Sequence, residues 1–356
     1  MDEGRVTMAR GTTHAVQIPR FGPPGVLTEA VIPLKDPGPG EIHLRVLASG
    51  VNFADLLQRA GLYGQVPDRP YAPGFEVAGE VARVGEGVEG WKVGDRAVAL
   101  LRFGGYVRDV VLPAEQFFPY PESLSPQEAA AVPVIFLTAW VALFETGHAR
   151  PGDRALILGA GGGVGTAAVQ LAVARGLRVY GTAGTPAKRS FVVDELGAEA
   201  CFDSRGGWEP ELWKALGEKR ILDIALDSVG GKATQSCRRL LGPLGRLVFY
   251  GLSEALPGTK RSWPKAILAR FKTQTIHPMS LIGKNQGVFG IHLLYLKEKE
   301  AMMGPALAEI FQGIVEEKWK PILDRSFPLT REGAIQAHQF LHERRNLGKV
   351  VLEAEG

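Results

Sequence analysis

The stretch Leu156–Ala172, LILGAGGGVGTAAVQLA, decides how this chain is read. An apolar run, Ala155–Leu158, stops at a cluster of glycines, and a helix pattern of small residues follows. A buried parallel strand reads like the first part, and a helix packed closely on a sheet like the last. Gly162 and Gly165 lack the Cβ atoms that would block a pyrophosphate and a tightly packed helix. The N–H groups at the helix start, among Gly162, Gly163, Val164 and Gly165, then point at phosphates. The fingerprint is incomplete, because Ala160 stands where the first glycine belongs, giving A-x-G-x-x-G. An ordinary glycine-rich turn is the alternative, and the flanking strand and helix weigh against it.

The next strand pattern, LRVYGT at 177–182, bears on which dinucleotide is bound. A site for NAD usually carries an Asp or Glu at this strand end, about 20 residues past the glycines, to accept from the ribose 2′-OH. No acid occurs between Gly165 and Asp194; Thr182, Gly184, Thr185, Lys188 and Arg189 stand there instead. A 2′-phosphate needs cations, hydroxyls and N–H donors and is repelled by a carboxylate. NADPH is therefore expected over NADH. Lys188 also reads as an ordinary solvated lysine in a first helical turn, so the missing acid carries more weight.

A chain of 356 residues suits two domains, and its 45% hydrophobic content is ample for a core in each. A net charge of +3 gives no support to nucleic-acid binding. Cys201 and Cys237, the only cysteines, have neither metal-ligand spacing nor a disulfide framework, which fits a reducing cytoplasm. The N-terminus lacks the apolar core of a secretory signal. Ala129–Phe144, AAAVPVIFLTAWVALF, is almost wholly apolar, but it falls short of the roughly 20 residues of a span and holds Pro133. Buried helices are expected, entered through Ser125 as N-cap, Pro126 at the first helical position and Glu128 closing a capping box.

The texture changes twice along the chain. From Thr13 to about Leu124, short alternating strands such as EIHLRVLAS (41–49), FEVAGEVARVG (75–85) and DRAVALL (95–101) lie between Gly/Pro turns, which predicts an antiparallel, barrel-like region. From Thr138 to about Leu296, strands alternate with helices at 164–175, 186–197 and 231–241, which predicts a doubly wound parallel sheet. Amphipathic helices are expected at Met302–Glu317 and Arg331–Glu343, and NLGKVVLEA closes as a strand. Met279–Ile282 and Val288–His292 also read as strands.

This order, with GVNFADLLQRAGLY (50–63), PGFEVAGEV (73–81), VGEGV (84–88), GDRA (94–97), LTAW (137–140), GGVG (162–165), GTAGTPAK (181–188) and GKVVL (348–352), resembles the medium-chain dehydrogenase/reductase superfamily. Within it, the chain is most similar to the zinc-free quinone oxidoreductase group, and more narrowly to the vesicle amine transport protein-like branch. The resemblance implies an α/β fold: a GroES-like β-barrel catalytic domain at 1–136 and 299–356, and a Rossmann doubly wound parallel sheet at 137–298 with a basic insert at about 255–285. It also bears on metal. Zinc-dependent relatives bind catalytic zinc through a Cys, a His in a GHE motif and a further Cys or acid. Here that motif reads Gly74-Phe75-Glu76, Asn52 stands near the Cys position, and no cysteine precedes Cys201. No metal is expected, and Glu76 is expected as a buried hydrogen-bonding group.

The resemblance further implies that Asn52 and Tyr63 line the place where substrate meets the nicotinamide, as an amide and a phenol donor to a quinone or enone oxygen. Each also has a plain structural reading, as a loop-bracing amide and a half-buried loop aromatic. Leu57 stands where relatives often carry a further tyrosine, and Asp55 reads as a helix-cap carboxylate. Thr138, Tyr250 and Gly251 are implied near the nicotinamide, and Asn346 and Lys349 in a segment that closes over the cofactor. A lysine at such a place is more commonly an ordinary surface lysine, which is the other reading of Lys349. Ser204 falls where relatives can place a tyrosine against the adenosine.

Lys260–Lys297 carries Lys260, Arg261, Lys265, Arg270, Lys272, Lys284 and Lys297 and no acid. RSWPKAILARFKTQ puts Trp263, Ile267 and Phe271 on one helical face, which fits a substrate-side cap, a dimer interface or an anionic membrane surface. A homodimer is expected from the edge strands. The function implied is an NADPH-dependent reductase of quinones or α,β-unsaturated carbonyls acting without zinc. The alternative is a cofactor-binding protein of membranes or lipids with little reductase activity.

Overall fold

The computed structural model describes residues 11–217, 221–253, 276–296 and 300–354, so the basic helix expected around Trp263–Phe271 lies outside the described residues. The chain forms two compact units: Met1–Pro133 with Arg325–Arg345 and Val350–Gly356, and Val134–Asp324 with Asn346–Lys349.

In the first unit, Glu41–Val51 is the central strand of a seven-stranded sheet. It pairs antiparallel with Glu76–Val84, with Asp109–Pro113 and with the C-terminal strand, where Val350 faces Val51. Ile42, Leu44, Val46, Val77, Val81, Ala97, Ala99 and Phe117 are buried in one core, so the alternation read in the three strand patterns packs as expected. A separate hairpin pairs Gly11–Gln17 with Thr28–Leu34.

The second unit holds a six-stranded parallel sheet. Its spatial order is Ala200–Asp203, Arg178–Ala183, Arg154–Ile157, Leu222–Asp227, Leu241–Phe249, Gly287–Gly290. Counted in chain order this is 3-2-1-4-5-6, the Rossmann order. The order reverses between Arg154–Ile157 and Leu222–Asp227, and ligands of such sheets bind beyond the strand carboxyl ends at that point. Ala155, Leu156, Ile157 and Leu158 are almost wholly inaccessible, as a strand covered on both faces requires. The apolar run becomes helices Pro126–Ala130 and Pro133–Trp140, and Ser125 and Glu128 form the expected capping box. Among the described residues, no helix is long and apolar enough to cross a membrane.

Two expectations are corrected. Pro278–Ile282 is a short helix, not a strand: Pro278 pre-sets its first turn and the His277 imidazole accepts from the Met279 N–H. Gly287–Gly290 is the strand, at the sheet edge. The domain limits also move. Helix Glu300–Val315, placed with the catalytic domain in the sequence reading, belongs to the second unit, which runs to Asp324. The Gln170 side chain binds this segment through both the Lys320 carbonyl and the Lys320 N–H, at 3.0 and 2.9 Å.

Candidate active site

The glycine turn is built by its backbone. Gly159 is left-handed (φ 69°), and the Gly162 N–H returns to its carbonyl at 2.9 Å. The next strand braces the turn: the Thr182 hydroxyl accepts from the Gly159 N–H at 3.2 Å and its carbonyl from the Ala160 N–H at 2.9 Å. Thr182 is buried, so its side chain is spent on the turn. Helix Gly163–Ala174 then begins, with Gly162 as a side-chain-free N-cap. A helix leaves its first N–H groups without intrahelical partners. Those of Gly163, Val164 and Gly165 have no partner among the described residues.

Each glycine has its own reason. A Cβ on Gly165 would lie 2.2 Å from the Gly159 carbonyl oxygen, so this residue lets helix and turn touch. A Cβ on Gly161 would meet the Lys188 side chain at 3.3 Å, and one on Gly163 would come within 3.8 Å of Lys349 Cδ. Two lysine stems therefore flank the turn. Lys188 enters from helix Pro186–Asp194, whose N-cap Thr185 accepts from the Lys188 N–H. Lys349 comes from the far end of the chain: the Gly348 N–H donates to the Gly161 carbonyl at 3.0 Å, and the Asn346 amide holds the Gly348 carbonyl at 2.7 Å. Lys349 is not the surface lysine that one reading allowed; it is 2% exposed.

At the end of strand Arg178–Ala183, Gly184 faces two side chains that follow the neighbouring strand Ala200–Asp203. Arg205 Nε and Ser204 Oγ would lie 3.4 and 3.6 Å from a Cβ there. Arg189 turns instead to Asp203, at 3.4 Å. At the carboxyl ends of the next strands, Asp227 accepts from Val229 N–H, Gly230 N–H and the Thr234 hydroxyl, ordering the loop. The Tyr250 N–H binds the Asp227 carbonyl, and burial pushes the Tyr250 phenol up despite its bond with Ser228. Gly251 packs on the Ser228 backbone, where a Cβ would lie 2.9 Å from the Ser228 oxygen. Thr138 is buried in helix Pro133–Trp140. A side-chain-free cradle, three unpartnered N–H groups and two flanking lysines fit a dinucleotide diphosphate.

In the first unit, Asn52 is the N-cap of helix Phe53–Ala60, and its side-chain amide donates to Glu76 Oε1 at 2.9 Å. Glu76 is fully buried, and its carboxylate packs where a Cβ on Gly50 would stand, 2.3 Å away. Asp55 caps the helix, accepting from the Asn52 N–H at 2.7 Å and from the Gly74 N–H at 3.1 Å. Tyr63 is half-buried with its ring 5.7 Å from that of Phe75, which lies 6.5 Å from Phe103. A zinc site does not fit this donor set. Phe75 is apolar, Glu76 is engaged by an amide, and this unit has no cysteine. Zinc of this kind needs three Cys, His or carboxylate ligands.

A Rossmann unit with this turn, in one chain with a β unit carrying a buried Asn–Glu pair, defines a two-domain dehydrogenase or reductase. A family model described as zinc-binding dehydrogenase matches residues 163–304, and one described as alcohol dehydrogenase GroES-like domain matches 38–122. The chain is 37% identical over 317 residues to the synaptic vesicle membrane protein VAT-1 homolog of Danio rerio, covering 89% of this chain and 64% of that relative. It is 30% identical over 345 residues to the quinone oxidoreductase of Rattus norvegicus, covering 95% and 97%. It superposes on the quinone oxidoreductase of Thermus thermophilus, a structure determined with its NADPH complex, at a TM-score of 0.77 and 35% identity, over 96% and 99% of the two chains. The chain belongs to the quinone oxidoreductase and VAT-1 group of the medium-chain dehydrogenase/reductase superfamily.

Proposed function

We propose that this protein is an NADPH-dependent reductase of quinones or α,β-unsaturated carbonyls that works without zinc. The observation that carries the reading is the glycine turn, with the N–H groups of Gly163, Val164 and Gly165 at its helix start and Lys188 and Lys349 on its flanks. The Thermus relative's NADPH complex supports the choice of cofactor. When bound, NADPH supplies a hydride. The protein's own share is position and field. Gly162–Gly165 receive the diphosphate, Lys349 neutralises charge beside it, and Lys188 with Gly184 meets the 2′-phosphate. Tyr250, Gly251, Thr138 and Asn346 shape the nicotinamide end. On the substrate, Tyr63 offers a phenol proton and Asn52 an amide dipole to the carbonyl oxygen, where negative charge develops.

Lys188→Ala is expected to weaken NADPH binding about tenfold, as loss of one charge-assisted contact does, and to leave NADH binding near the wild-type value. Titrations followed by tryptophan fluorescence check this. Equal losses for both cofactors would place Lys188 away from the 2′-phosphate. Zinc independence has its own measurement. Metal analysis of purified protein is expected to find no stoichiometric zinc, with turnover unchanged by a chelator. One retained zinc per chain would overturn that part of the proposal.

A further inference from the structure

The first unit encloses a chain of buried polar side chains that the reduction chemistry above does not use. Arg59, on helix Phe53–Ala60, is fully buried and donates through Nε to His338 Nδ1 at 3.1 Å. Its other nitrogens reach the Gly22 carbonyl and His342 Nε2. His338 Nε2 lies 3.2 Å from the Tyr106 hydroxyl, which lies 3.3 Å from Asp55 Oδ2. Both histidines belong to helix Arg331–His342, 279 and 283 residues from Arg59 in sequence.

The direction of every bond follows from the donor inventory. A guanidinium has no acceptor, so His338 Nδ1 must accept and its proton sits on Nε2. That N–H donates to the Tyr106 oxygen, and the one hydroxyl proton of Tyr106 is left for Asp55. Burial, with the charge of Arg59 and neighbouring His342, pushes the His338 imidazole well below its ordinary range, so it stays neutral. Burial and Arg59 together lower His342 to about 4. The chain thus runs from a buried cation, through two neutral groups, to a carboxylate. Removing a middle link takes one hydrogen bond from a buried charged group at either end, and the Asp55 carboxylate is then held by its backbone donors without the Tyr106 hydroxyl.

The far end of this chain is placed for function. Asp55 holds two backbone groups, the N–H of Asn52 and that of Gly74. These lead directly into the two residues whose side chains meet, Asn52 and Glu76. We propose that Tyr106 and His338 are positioning residues: they orient the Asp55 carboxylate, which holds Asn52 against Glu76 and so aims its amide. This rests on the reading that Asn52 receives the substrate oxygen.

Tyr106→Phe is the test, because it deletes one oxygen and keeps the ring, which packs edge-on against His338 with centroids 5.9 Å apart. Only three asparagines occur in the chain, so ¹⁵N-asparagine labelling gives a simple side-chain amide spectrum, assigned with an Asn52→Asp variant. The Asn52 amide resonances are expected to move in Tyr106→Phe. kcat should fall roughly tenfold to a hundredfold, the scale of a misplaced reacting group, while KM for NADPH holds. His338→Gln, which can still donate to Tyr106, should retain more kcat than His338→Leu. A purely structural pin would lower the melting temperature alone, leaving the Asn52 resonances and kcat as in wild type, and that result overturns the proposal. If the wild-type protein oxidises no NADPH with any quinone or enone, the reductase reading falls by itself. The Asn52 resonances then decide the positioning claim: a shift supports it, and an unmoved spectrum overturns it.

Discussion

Gly165→Val is expected to abolish NADPH binding and to lower the melting temperature. The β-carbon alone would stand 2.2 Å from the Gly159 carbonyl oxygen and 2.7 Å from Ala160 Cα, both backbone atoms that cannot swing aside. Relief requires the helix start to lift away from the turn. That movement pulls the Gly163, Val164 and Gly165 N–H groups out of line and breaks the close packing. Overpacking of this kind commonly costs about 1–3 kcal/mol, and here the damage falls on the turn itself. Fluorescence titration with NADPH, beside a thermal melt, reads both effects. Gly165→Ala should show the same losses in milder form. Wild-type affinity in a folded Gly165→Val protein would mean that the diphosphate lies elsewhere.

Tyr63→Phe is expected to lower turnover by about a hundredfold, since losing one donor to a developing oxyanion commonly costs about 3 kcal/mol. The ring contact with Phe75 survives the change, so the fold should melt at the wild-type temperature. Leu57 offers no donor on the neighbouring helix, which leaves the load on Tyr63 and Asn52. Asn52→Ala should be slower still, and less stable. It takes one hydrogen bond from the fully buried Glu76 carboxylate, and losing a buried bond to a charged group is costly. Steady-state NADPH oxidation with a quinone and with an enone checks both variants. Unchanged turnover in Tyr63→Phe on both substrates would reduce Tyr63 to a wall of the site, with water as the proton source.

Much of this was legible in the sequence where the information is local. The strand–glycine–helix segment is contiguous, so its turn, N-cap and close-packed helix could be read from Leu156–Ala172. Asp55 three residues after Asn52 is a capping pattern, and the structure shows it. Features made by distant segments were not legible. Lys349 is placed near the cofactor by family resemblance alone, because nothing within RRNLGKVVL shows that Gly348 will bond to the glycine turn. Arg205 follows one strand and Gly184 another, so their meeting depends on parallel pairing of Ala200–Asp203 with Arg178–Ala183. The Arg59–His338 bond spans 279 residues, and neither residue carries a local signal for the other. Pro278–Ile282 misled for a different reason: apolar residues in a five-residue element do not distinguish periods of 2 and 3.6, and the deciding signal was Pro278 behind a capping His277.

The most direct test of the central claim is steady-state oxidation of NADPH and of NADH by the purified protein, each with and without a quinone or an enone. The account predicts acceptor-dependent oxidation of NADPH, with kcat/KM for NADPH well above that for NADH, in chelated buffer. Saturable NADPH binding with no acceptor-dependent oxidation across both substrate classes would contradict it.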